Sequence, residues 1–75
     1  MVAMENADMA RWIKAAVKRN KLSYVWLIDR LAERRIITDK SEVSAVLAMK
    51  RFGPKANVII SASYQILRMY EERMG

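Results

Sequence analysis

Residues 35–55, "RIITDKSEVSAVLAMKRFGPK", combine two side-chain types whose chemistry suits an anionic polymer. At helical spacing, Ser41, Ser44, Ala45 and Ala48 share one face, and none of them is bulky. Lys50, Arg51 and Lys55 follow within a few residues, around a Gly and a Pro. A helix with a smooth outer face can enter the major groove of B-DNA, about 12 Å wide. Cations at its end would then lie beside phosphates.

Other chemistries are poorly supplied. The 75 residues contain no Cys and no His. That removes disulfides, thiolate metal sites, the usual general base and the commonest metal ligand. Asp29 and Glu33 form an acidic i,i+4 pair, but no nucleophile or metal pattern accompanies them. No enzyme activity, metal, cofactor or small-molecule ligand is therefore expected. The apolar runs are far too short to span a membrane, and "MVAMENADM" lacks a basic segment before an apolar one. No membrane segment or signal peptide is expected, and the absence of Cys fits a reducing, cytoplasmic setting.

The net charge is +6, and its distribution is uneven. Twelve of the fourteen Lys/Arg but only four of the eight Asp/Glu lie between Arg11 and Lys55. This excess suggests an anionic partner, most simply nucleic acid. A plain solvated basic surface is the competing explanation.

The elements that must position these residues read as helices. Helix breakers are scarce, and apolar residues recur at three- and four-residue steps. Such a chain supports one all-α domain over residues 1–75, a compact bundle of four or five helices, with residues 1–6 as a flexible N-terminus. A first helix is expected from Ala7 to Asn20, capped by Asn6 or Asp8, with Met9, Trp12, Ile13, Ala16 and Val17 inward. A second runs from its cap Ser23 to Arg34, burying Leu27, Ile28 and Leu31, with a small contact from Ala32. Ile36 or Ile37 then folds back onto the core. "DKSE" puts Asp39 at the N-cap and Glu42 three residues on, the spacing of a capping box, with Thr38 as the competing cap. Val43, Val46 and Leu47 would anchor that third helix. Pro54 marks the start of a last helix from about Lys55 to Arg73, whose stripe is Ile59, Ala62, Ile66 and Tyr70. "VIISASY" is β-branched, but helical periodicity continues through "QILRMYEER".

With these elements in place, "LSYVWLIDRLAERRIITDKSEVSAVLAMKRFGPK" resembles the helix-turn-helix core of XRE-type proteins, the phage repressor and Cro-like family. The resemblance covers roughly residues 9–67. It rests on Leu27, Ile28 and Leu31, and on Val43 and Val46, where the family anchors its recognition helix. A small phage-type subgroup combining "WLI…L", "TDKSE", "S-x-V-L" and "R-x-G-P-K" is similar too. The resemblance implies a lambda-repressor-like fold and a homodimer that reads an inverted DNA repeat. The chain departs from the family in having Ala32 after Leu31, Met49 where a Gly often closes the recognition helix, and twelve residues from Leu31 to Val43. That spacing requires either a longer second helix or a loop in place of a tight turn.

Lys40, Ser41, Ser44 and Ala45 are accordingly the candidate groove-facing residues. Lys40 can reach a phosphate or a guanine edge, the two serines a base or phosphate, and Ala45 a thymine methyl. Lys50, Arg51 and Lys55 are candidate phosphate contacts, and Ser23 and Tyr24 would meet the backbone on the other side. Each also has a plainer explanation, as solvated surface or, for Ser23, as a helix cap. Glu42 is read as a capping acceptor ahead of a partner for a cytosine amino group. Trp12 and Trp26 are read as packing residues. Met69, Tyr70 and Met74 fit either a dimer surface or packing onto the first helix. The expected function is sequence-specific double-stranded DNA binding by a small transcriptional regulator. A helical protein-interaction adaptor of antirepressor type, which keeps the fold without operator binding, is the alternative.

Overall fold

A computed structural model of the protein describes residues 5–74, with side chains through Arg73. The expected flexible segment therefore lies largely outside the described residues, as does the Met74 side chain. Four helices account for the described fold: α1 (Asn6–Arg19), α2 (Tyr24–Glu33), α3 (Lys40–Leu47) and α4 (Pro54–Met74). No strand occurs among the described residues, so "VIISASY" is helical as its periodicity required. The radius of gyration is 11.5 Å, close to the about 11 Å of a compact chain of this length.

Local sequence explains most boundaries. The Ser23 hydroxyl accepts the Trp26 N–H at 3.1 Å and starts α2. The Asp39 carboxylate accepts the Glu42 N–H at 2.7 Å and starts α3, so Asp39 prevails over Thr38. Pro54 opens α4, where a missing N–H costs nothing. At α1 the expectation fails. Glu5 holds the N-cap position without a side-chain hydrogen bond. Asn6 lies within the helix and donates to Asn57 Oδ1 of α4 at 2.7 Å, while Asp8 pairs with Arg11.

The first three helices close in the same way. The N–H of Leu22 reaches back to the Val17 carbonyl, that of Ile36 to Leu31, and that of Lys50 to Ala45. These are the six-to-one bonds of Schellman motifs, which require a left-handed residue just before the donor. Lys21, Arg35 and Met49 occupy those positions at φ 56°, 65° and 61°. Met49 thus holds a left-handed position that Gly adopts most readily, at the steric cost of a Cβ.

Residues paired across the helices fix their directions. Asn6 meets Asn57, the Trp12 ring meets Tyr64 edge-on at 5.0 Å, and Arg19 meets Glu71. The offset barely changes, so α1 and α4 run parallel. Trp26 packs edge-on against Tyr70 at 5.2 Å, and Arg34 donates to Gln65, so α2 runs antiparallel to α4. Both tryptophans therefore pack within the fold, as expected. Glu71 fastens the far end. It accepts from Asn20 at 2.7 Å and from two Arg19 nitrogens at 2.9 Å, and the Asn20 bond foremost holds its carboxyl below the ordinary value.

The core unites Ile13, Ala16, Leu27, Leu31, Val43, Val46, Leu47, Ile59, Ile60 and Leu67. Tyr70 is only half-buried. One expectation needs correction: Ala32 is exposed and makes no core contact, since it lies away from the Leu27 and Leu31 face of α2. Ser63, unanticipated from the sequence, is fully buried with its hydroxyl unpartnered, a polar residue inside an apolar stripe. Ile36, not Ile37, folds back, since the Schellman bond at the end of α2 turns it inward beside Leu31.

Candidate nucleic-acid interface

The spacing from Leu31 to Val43 is met by a loop. Residues 34–39 link α2 to an α3 of only eight residues. On α3, Val43, Val46 and Leu47 are buried against the other helices, which fixes which side of the rod faces out. On that outer side Ser41, Ser44 and Ala48 are exposed, and Ala45 is half-buried. They form an open depression with Lys40 at one end and Lys50 at the other. No large apolar or aromatic side chain lines it. Neither lysine makes an ion pair among the described residues.

The other two candidate cations are differently placed. The Glu42 carboxylate accepts from the Thr38 hydroxyl at 2.6 Å and lies 3.0 Å from Lys55 Nζ and 3.6 Å from Arg51. Its side chain is only 15% exposed, whereas Arg51 and Lys55 remain more than half exposed. The Thr38 hydrogen bond first, then that from Lys55, holds the Glu42 carboxyl below its ordinary value of 4.5. Glu42 therefore differs from both sequence readings. Asp39 caps the helix as a capping box requires, but the Glu42 side chain is engaged with Thr38, Arg51 and Lys55 instead. So engaged, it is not turned toward the depression.

Ser23 and Tyr24 stand apart from this cluster. Ser23 serves as the α2 cap, Tyr24 packs partly against the core, and neither lines the depression. The expected groove-facing residues Lys40, Ser41, Ser44 and Ala45 lie together within two turns of α3, and Lys50, expected with Arg51 and Lys55, joins them around the depression. Sequence reasoning missed Glu42 as a hub. Arg51 and Lys55 lie nine and thirteen residues downstream of it, beyond the reach of helical spacing rules.

Among the described residues there is no cluster of groups able to hold a metal ion, and no helix is long and apolar enough to cross a membrane. No protein-family model, curated protein or solved structure matches the chain.

Proposed function

We propose that the protein binds double-stranded DNA sequence-specifically as a small transcriptional regulator of the XRE-type helix-turn-helix kind, with α3 as its recognition helix. The observation that carries this reading is the smooth depression of Ser41, Ser44, Ala45 and Ala48 between Lys40 and Lys50. Small residues let the rod approach base edges closely, and the two serines offer hydrogen bonds there. Lys40 and Lys50 act at the two ends, and Arg51 and Lys55 add charge toward phosphates. The 34–39 loop stands where such a motif has a tight turn, and it does not line the depression. A regulator of this kind would work in the cytoplasm as a homodimer on an inverted repeat, because one eight-residue helix spans only a half-site.

Random-oligonucleotide selection on the purified protein, with its mass measured in solution, tests the reading. The expected result is an enriched inverted repeat, bound by a dimer, with affinity falling steeply as salt rises. Failure to retain DNA even at low salt, together with a stoichiometric protein complex, would establish the adaptor alternative instead.

A further inference from the structure

Phe52 and Ile37 are 72% and 70% exposed, more than any other large apolar residue described. Scattered exposed apolar residues are ordinary. These two differ in how they are mounted. Ile37 directly precedes Thr38, and Phe52 directly follows Arg51, and both of those neighbours hold the Glu42 carboxylate. One hub thus anchors the chain on either side of α3. Phe52 is also set among cations, with Lys50 and Arg51 before it and Lys55 after it. Next to it, Gly53 at φ 121° shapes the turn into α4, with open space around it.

We infer that Phe52, together with Ile37 on the same hub, forms an apolar rim that packs against the sugar edge of double-stranded DNA. The inference rests on the DNA-binding reading above and adds to it a non-ionic contact. Lys50, Arg51 and Lys55 draw this loop to the phosphates. Deoxyribose carbons lie between successive phosphates and present apolar surface at that distance. A ring already held outside the core leaves water on contact without disturbing the fold. An apolar protein surface is a poorer occupant, since it would bury Lys50, which makes no ion pair among the described residues, without a partner.

The two kinds of contact differ in salt dependence. Losing a cation–phosphate contact flattens the fall of log K with log salt by about 0.9. Losing an apolar contact lowers the whole line without tilting it. The test measures binding of the full chain to its selected oligonucleotide across a salt series, with Phe52→Ala, Phe52→Leu, Ile37→Ser and Lys50→Ala. Phe52→Ala should bind about tenfold more weakly at every salt concentration, with an unchanged slope and unchanged thermal stability. Phe52→Leu should recover much of the loss, Ile37→Ser should show a smaller parallel drop, and Lys50→Ala should flatten the slope. Wild-type affinity in Phe52→Ala overturns the rim. So does a loss traced to weaker dimerisation in the absence of DNA, which would assign the ring to a second copy of the chain. If the wild-type chain binds no oligonucleotide at any salt, the DNA-binding reading itself falls, and the rim with it.

Discussion

The Lys55 ammonium lies 3.0 Å from the Glu42 carboxylate, so the first turn of α4 is tied to the first turn of α3. With Thr38 and Arg51 on the same carboxylate, three separate parts of the chain meet at one acidic group. The hub steadies α3 from a flank, beside its open depression. It also spreads the charge of Arg51 and Lys55 over an internal partner, whereas the candidate cations Lys40 and Lys50 make no ion pair among the described residues.

Replacing that carboxylate should therefore cost stability before it costs specificity. Glu42→Gln should lower stability by about 1 kcal/mol, which in a domain this small is a Tm drop of about 4–8 °C. The effect should depend on pH. The folded carboxyl titrates below 4.5, so the charged form contributes fully above that value. The contribution drains away as pH falls through the lower, folded value. Thermal unfolding from pH 7 to pH 3 should show the gap between wild type and Glu42→Gln narrowing at the acid end. A gap that stays constant would mean that the charge of Glu42 is not what holds the hub.

Ser44 is exposed at the centre of the depression and supports nothing in the core. Ser44→Glu should leave Tm within a few degrees of wild type and abolish specific DNA binding, because it sets a carboxylate against base edges and phosphates. Circular dichroism and a gel-shift titration would check both halves. Unchanged operator affinity in a folded Ser44→Glu protein would remove α3 as the recognition helix.

Replacing Lys50 and Arg51 together by Ala should weaken binding to all sequences alike and flatten the salt dependence. The Lys50 change should account for more of the flattening, since Arg51 already shares Glu42. Single and double variants titrated across a salt series would separate the two. A change in the preferred sequence would instead assign one of them to a base.

The left-handed residues at the helix ends offer a test of stability alone. Arg35 is exposed at φ 65°, where a Cβ is unfavourable and Gly is not. Arg35→Gly should raise stability by about 0.5–1 kcal/mol, net of the added freedom of the unfolded chain. Met49→Gly should gain less or lose, because Met49 also packs partly against the core. Denaturant melts of both variants would show the order: equal gains would mean that the packing of Met49 adds nothing, and a loss in Arg35→Gly would mean that the left-handed strain is not the deciding term.

Much of the fold was legible in the residues themselves. Ser23, Asp39 and Pro54 announce three helix starts through bonds or geometry local to four residues. The apolar periodicity selects Leu27, Leu31, Val43, Val46, Leu47, Ile59 and Ile66 as buried positions, and with them which side of α3 is left outward. The depression followed from that, because a helix anchored by two valines and a leucine must turn its serines away. Helical phase is a property of the chain alone, so the sequence determines it.

What only the tertiary structure decided lies between elements distant in the chain. Asn6 could have capped α1, but the parallel approach of α4 brings Asn57 within reach. Glu42 could have closed a capping box, but Thr38, Arg51 and Lys55 converge on it. Ser63 carries no mark of burial until α4 is packed on its neighbours. For Asn6 and Glu42 a local partner competes with a remote one. No period in the sequence encodes which remote partner arrives, and only the packing of the helices settles it.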